Sequence, residues 1–249
     1  MRIDILTLFP QSIEAFLGES IIGRARKAGK LELHCHQIRD YTMHKQKQTD
    51  DYPYGGGFGM VMYADPLYRA HQAVKEACGK EHIHTVYMSP QGQVFDEDKA
   101  KELAGYDQIM LVCGHYEGVD ERFLEECVDE EISLGNFVLT GGEIAAAAIA
   151  DAVARLSPGV LRTEECFTDE SIYDGRLEHP QYTRPEEWHG KKVPEVLFSG
   201  NHAEIKKWRQ KQGLYRTFDK RPDLFEEFPL SDEERKLLSE SGRNPDEVE

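Results

Sequence analysis

Long apolar runs are missing from this chain of 249 residues. No stretch approaches the roughly 18 consecutive apolar residues that a membrane-spanning helix needs, so such a helix is excluded. Cysteine is scarce and scattered. The five thiols, Cys35, Cys78, Cys113, Cys127 and Cys166, include no Cys-x-x-Cys pair of the kind that binds zinc or runs redox exchange, and they read as reduced structural residues. An excess of positive charge is absent as well. The formal net charge of −16 argues against a protein whose main task is to coat a polyanion. Internal repeats and low-complexity tracts are lacking. The alternating run Arg2 to Leu8 leaves no room for a cleaved targeting segment, so the expected location is cytoplasmic.

What is present is the composition of a folded enzyme-sized protein, 39% hydrophobic and 31% charged, long enough to bury a substantial core without cross-links. Charge is distributed unevenly. Between Glu187 and Arg221 nine Lys/Arg stand against four acids, whereas from Asp223 to Glu249 ten acids stand against three basic residues. A basic block inside an acidic protein is compatible with a selective RNA contact, and equally with a solvated helix face.

Periodicity divides the chain. Arg2 to Leu8 alternates as a strand, Ser12 to Leu17 and Ile21 to Lys27 carry helical spacing, and Leu31 to His36 alternates again. Asp65-Pro66 reads as an N-cap followed by proline at the first helical position, opening a helix to about Cys78. Then come a strand at Ile83 to Met88, a helix near Asp96 to Leu103, an apolar strand Ile109 to Cys113, a helix near Glu121 to Cys127, and an alanine-rich helix from about Glu143 to Leu156. This alternation predicts an α/β domain with a mostly parallel sheet. Beyond Pro158, Leu161 to Trp188 is polar and proline-punctuated and holds no period, as in a linker or a loop that folds on binding. Two helices follow, with capping-box spacing at Asn201/Glu204 and Ser231/Glu234.

Four loops carry the unusual residues. Tyr52-Pro53-Tyr54-Gly55-Gly56-Gly57-Phe58-Gly59-Met60 concentrates glycine between aromatics that suit base stacking. It lacks the Gly-Lys-Ser/Thr ending of a phosphate-binding loop. Ser89-Pro90-Gln91-Gly92, Gly114 to Arg122 and Leu134 to Glu143 follow strands or precede the alanine-rich helix. All four can converge beyond the carboxyl ends of a parallel sheet, where α/β proteins bind ligands.

In order along the chain, Pro53-Tyr54-Gly55-Gly56-Gly57, Ser89-Pro90-Gln91-Gly92, Gly114-His115-Tyr116-Glu117-Gly118, Gly135 to Glu143, Tyr182-Thr183-Arg184-Pro185 and Ser199-Gly200-Asn201-His202-Ala203-Glu204-Ile205 resemble the successive motifs of the bacterial tRNA (guanine-N1)-methyltransferase family, of the knotted SPOUT class. The resemblance covers nearly the whole chain. It implies an S-adenosyl-L-methionine (AdoMet)-dependent enzyme acting on the guanine at tRNA position 37. It also implies an α/β catalytic domain over residues 1–160 with a deep trefoil knot, a linker over 161–176, and a smaller mainly helical tRNA-binding domain over 177–249. The partners implied are tRNA and a second copy of the chain, with the active site at the subunit interface.

Cofactor-binding positions implied in this way are Tyr87, Met88, Ser89, Pro90, Gln91, Gly114, Tyr116, Glu117, Leu134, Gly135, Asn136, Phe137, Val138, Leu139, Gly141 and Gly142. Substrate positions are Tyr54, Gly55, Gly56, Gly57, Ser199, Gly200, Asn201, His202, Lys206, Lys207 and Arg209, with Trp208 as an anchor. Guanine N1 holds its proton at neutral pH, so methylation there needs a base for that proton and a donor for charge developing on O6. The resemblance places the donor at Arg155 and the base at Asp169 or Glu170. Two departures stand out: Glu170 occupies the position that best matches the family's catalytic aspartate, and Phe58 stands where proline is usual. A magnesium ion is compatible with the resemblance, but no residue identifies its ligands. His34, His36, His44, His82 and His84 show no metal-ligand spacing and read as structural. The competing readings are a knotted methyltransferase acting on another RNA position or on a ribose hydroxyl, and a catalytically silent RNA-binding protein.

Overall fold

The computed structural model describes residues 1–163 and 170–248, so Cys166 and Asp169 lie outside the described residues. The chain divides into two compact units, Met1–Thr163 and Glu164–Glu249.

In the first unit, β1 (Arg2–Thr7), β2 (Glu32–Gln37), β5 (His84–Val94), β6 (Gln108–Cys113) and β7 (Glu130–Ser133) form one sheet in the order β2-β1-β6-β5-β7. Every pairing in it is parallel. Two-residue strands β3 (Asp50–Asp51) and β4 (Val61–Met62) close the base of the glycine loop as an antiparallel pair. Helices α1 (Pro10–Leu17), α2 (Ser20–Lys27), α3 (Ala64–Cys78), α4 (Glu97–Ala104), α5 (Glu121–Cys127) and α6 (Glu143–Leu156) connect and cover the strands.

The central strand explains the layering. Every residue of β6 is buried, as expected of a parallel strand covered on both faces. Ile109, Leu111 and Cys113 join Ile3, Ile5, Val86 and Ile132 against the α6 residues Ala146, Ile149, Ala150 and Val153. Met110 and Val112, one residue out of phase, join Leu6 and Tyr87 against Leu67, Ala70 and Val74 of α3 and Phe123 of α5. Each fully buried Ile or Leu contributes about 1.5–3 kcal/mol relative to exposure. The alanines let α6 lie close to the sheet.

Two cap expectations are corrected. Asp65 is not the cap of α3: the helix starts at Ala64 after Tyr63, which makes no side-chain cap bond. Pro66 is tolerated as the third helical residue, because the first four helical N–H groups have no intrahelical partner to lose, and Asp65 instead pairs with Arg69 at 2.8 Å. At Asn201 only half of the capping box forms. Its side chain accepts from Glu204 N–H at 3.3 Å, whereas Ser231 and Glu234 complete both halves.

The second unit contains strands β8 (Glu187–Trp188) and β9 (Lys191–Lys192) and helices α7 (His202–Lys220), α8 (Leu224–Glu227) and α9 (Asp232–Glu240). Its core is Leu214, Phe225, Leu230 and Leu238. Arg176, at the end of the stretch expected as linker, is built into this unit. It pairs with Glu234 at 2.8 Å, donates to Phe228 O at 3.0 Å and lies 4.9 Å from the Phe225 ring centroid. Among the described residues no helix is long and apolar enough to cross a membrane.

Candidate active site

Beyond the carboxyl ends of β5, β6 and β7 the first unit holds a cavity of about 440 Å³, within the usual range for small-molecule sites. Three segments wall it, two of them glycine-bearing: Tyr87 to Gln91, Gly114 to Val119, and Leu134 to Gly142 with Ala145. Of the expected cofactor positions, Tyr87, Met88, Ser89, Pro90, Gln91, Gly114, Tyr116, Glu117, Leu134, Phe137, Val138, Leu139, Gly141 and Gly142 line it, while Gly135 and Asn136 do not.

A break in strand register and a tight turn make this wall. Ile132 of β7 pairs with Met88 and again with Gln93, so Ser89 to Gly92 arches out of β5 and returns over β7. A Cβ on Gly92 would clash with the Glu131 backbone. The segment from Leu134 turns back so that Gly142 N–H donates to Gly114 O at 2.9 Å and Gly141 bridges to His115. A side chain at Gly142 would meet Cys113 Cα at 2.8 Å and Met88 Cβ at 3.0 Å, which is why this turn requires glycine. Glu143, in the first turn of α6, then accepts from Thr7 Oγ1 at 2.8 Å and ties the helix start to the end of β1.

The wall is acidic and apolar by turns. Glu117, Glu121 and Glu131 border it together with Ile132, Leu134, Leu139 and Ala145. Burial, reinforced by Glu131, pushes the Tyr87 phenol up to about 12, so at neutral pH it offers an O–H donor and not a phenolate. Burial likewise holds the Cys113 thiol well above its ordinary value, leaving it unreactive. Tyr116 adopts a left-handed backbone conformation at φ 62°, one that non-glycine residues take at a cost of about 1–2 kcal/mol and that gathers at ligand sites. His115 belongs to the wall, and its buried Nδ1 has no hydrogen-bond partner among the described residues.

The sequence reading did not name His115, Glu121, Glu131 or Thr140 as site residues. Glu121 and Glu131 sit in a helix and a short strand and signal nothing by spacing; His115 lay inside a quoted motif and could have been included.

Within the first unit, the glycine loop and Arg155 do not line the cavity. The tip of the glycine loop is solvent-exposed, with Tyr54 fully so. Its base braces the wall from outside: Glu117 N–H donates to Met60 O at 3.0 Å and Met62 N–H to Gly118 O at 2.9 Å. Arg155 is half-buried in the last turn of α6 and does not line the cavity. In the second unit Ser199, Gly200, Asn201, His202, Lys206, Lys207 and Arg209 are exposed, Trp208 is half-buried with its ring centroid 6.1 Å from that of His179, and Glu170 is half-buried.

A cavity at the carboxyl edge of a parallel sheet, lined by glycines, acidic groups and apolar surface, is the usual small-molecule site of an α/β protein. Residues 1–227 match the family model described as tRNA (Guanine-1)-methyltransferase TrmD, and the chain belongs to this family of methyltransferases. A tRNA (guanine-N(1)-)-methyltransferase of Ruminiclostridium cellulolyticum is 54% identical over 229 residues, 92% of this chain and 98% of the relative. One from Clostridium perfringens is 54% identical over 238 residues, 96% of this chain and 99% of its own. One from Staphylococcus aureus is 48% identical over 238 residues, with 96% of each chain covered.

Proposed function

We propose that the protein transfers a methyl group from AdoMet to N1 of guanine 37 in tRNA, in the cytoplasm, as a homodimer. The observation that carries the reading is the cavity: family membership says that the chain is a methyltransferase, and the cavity is where three loop segments meet. Its residues fit the donor. Glu117, Glu121 and Glu131 suit a molecule carrying positive charge, Leu134, Leu139 and Ile132 suit a flat base, and the orphaned His115 Nδ1 suits a ligand atom. Bound there, AdoMet supplies a methyl group made electrophilic by its sulfonium. The arch of Ser89 to Gly92 over β7 and the return of Gly142 to Gly114 support a trefoil knot at this place.

The protein's own groups then handle the protons and charge. A carboxylate, Asp169 or Glu170, takes the N1 proton, and the Arg155 guanidinium donates to O6 as negative charge develops there. Arg155 stands thirteen residues along α6 from Gly142, about 20 Å at the helical rise. That span supports an arrangement in which Arg155 of the partner subunit serves each cavity. Exposed Phe137, Val138 and Ile144 at the cavity rim suit a dimer interface. Residues 1–160 form the catalytic domain, residues 161–176 connect, and residues 177–249 bind tRNA. There Lys206, Lys207 and Arg209, beside Ser199, Gly200, Asn201 and His202, contact phosphate, and Tyr54 with Gly55, Gly56 and Gly57 approaches the RNA from the first unit.

The test is methyl transfer from labelled AdoMet to an unmodified tRNA transcript with guanine at position 37, beside one with that guanine replaced. Incorporation as 1-methylguanosine in the first transcript alone is expected. Label in both transcripts, or in a ribose hydroxyl, overturns the choice of atom and position.

A further inference from the structure

The amino ends of β5 and β7, at the opposite edge of the sheet from the cavity, gather two imidazoles and a carboxylate. His82 and His84 stand two apart at the entry to β5, and both rings lie against Asp129. Asp129 arrives beside them at the start of β7, the parallel partner of β5. The expectation that these histidines lack metal-ligand context is corrected by this approach, since the third group lies some 45 residues downstream in the sequence.

His82 Nε2 is 3.5 Å from Asp129 Oδ1 and His84 Nδ1 is 3.9 Å from Asp129 Oδ2. One ligand atom from each of the three residues lies within 4.8 Å of the others. These separations are too long for hydrogen bonds. They approach the spacing of about 3.3 Å that ligand atoms keep around a tetrahedral zinc ion with bonds of about 2.0–2.1 Å.

The surroundings orient the donors. His84 Nε2 is 2.7 Å from Glu130 Oε1, and Glu130 is itself held by Lys99 Nζ at 3.0 Å. In the neutral ring the Nε2 proton goes to Glu130, which leaves the Nδ1 lone pair toward Asp129. Tyr106 stacks on the His84 ring with centroids 4.3 Å apart and fixes its plane. Asp129 Oδ2 accepts from Thr85 N–H at 2.7 Å. His84 Nδ1 and the Asp129 carboxylate therefore face each other across a gap that a cation can bridge. His84 is 13% exposed and His82 69%, so the group opens to water on one side.

We propose that His82, His84 and Asp129 bind one divalent first-row transition-metal ion of the zinc type, with water completing the coordination, and that the ion ties the starts of β5 and β7 together. Two imidazoles and one carboxylate favour such an ion over magnesium or calcium, which prefer oxygen ligands.

The test uses the full-length chain without a histidine tag, stripped by a chelator and dialysed. Zinc is titrated by calorimetry, and cobalt(II) substitution is read by its visible absorption. His82→Ala removes an exposed ligand, and Asp129→Asn keeps an acceptor for Thr85 N–H, so both variants fold. One zinc per chain is expected, with a zinc-dependent rise in Tm and at least about tenfold weaker binding in each variant. Zinc binding of equal strength in the variants, or no binding by the wild-type protein at millimolar zinc, overturns the proposal.

Discussion

At the carboxyl ends of β5, β6 and β7 the chain places glycines, a strained Tyr116 and a cavity; at the amino ends of the same sheet it places paired charges. Asp4, fully buried, accepts from Arg2 at 2.8 Å and Gln108 at 2.8 Å and lies 2.8 Å from His36. His84, Glu130 and Lys99 form a second network. At the amino end these networks satisfy their polar groups internally, and the His82, His84 and Asp129 group is the exception there. A parallel sheet has this asymmetry built in, because loops leaving the strands face one way and can be varied without unpacking the core.

The largest effects are expected in catalysis. Asp169→Asn with Glu170→Gln is expected to lower methyl transfer by a factor of about 10²–10⁴, and Arg155→Ala by about 10²–10³. AdoMet affinity, measured by calorimetry, should hold in both variants. A loss of AdoMet binding by Arg155→Ala would show that Arg155 shapes the cavity and would break the proposed division of labour.

His71 probes the amino end. It is buried on α3, 3.2 Å from Thr85 Oγ1, and burial, with Lys75 adding, lowers its pKa to about 4. Between that value and the ordinary value of about 6.5, the unfolded chain binds a proton that the folded chain refuses. The contribution is fully present above about pH 6.5 and falls with acidification, by up to about 3 kcal/mol near pH 4. Urea unfolding from pH 7.5 to 4.5 measures the slope, and His71→Gln should flatten it. An unchanged slope would place the titration elsewhere.

A matched pair sharpens the contrast. Gly142→Val, at the cavity, should cost about 1–3 kcal/mol through overpacking and abolish AdoMet binding. Asp4→Asn, at the other end, should cost about 2 kcal/mol through weakened charged hydrogen bonds and leave AdoMet binding intact. The Asp4 carboxyl is held far below the ordinary range against its burial by His36, Arg2 and Gln108. Its contribution is therefore present above about pH 4 and lost in acid. Denaturant unfolding and calorimetry on both variants decide the matter; equal effects on binding would mean that the two ends are coupled.

Much of the first unit was legible. Helices α1 to α6 and strands β1, β2, β5 and β6 were marked by period, whereas the cap of α4, Asp96, whose side chain accepts from Lys99 N–H at 2.8 Å, was not singled out. Strand β7 was not, because four residues beginning Glu130-Glu131 do not read as a strand, although they lie in the sheet. The cavity loops were legible as glycine-rich segments, yet nothing local distinguished Gly142, which lines the cavity, from Gly135, which does not.

The sequence by itself determined the kind and order of the elements, the chemistry of the loops and the family, because helical and strand periods act over two to four residues and motifs are read in line. Tertiary structure alone decided that Ile132 pairs on both sides of the Ser89 arch, that His82, His84 and Asp129 meet, and that Arg155 stands away from the cavity of its own chain. Those outcomes rest on contacts between distant residues, as when Thr7 meets Glu143 across 136 positions, and no local pattern encodes which distant partner a strand end will find.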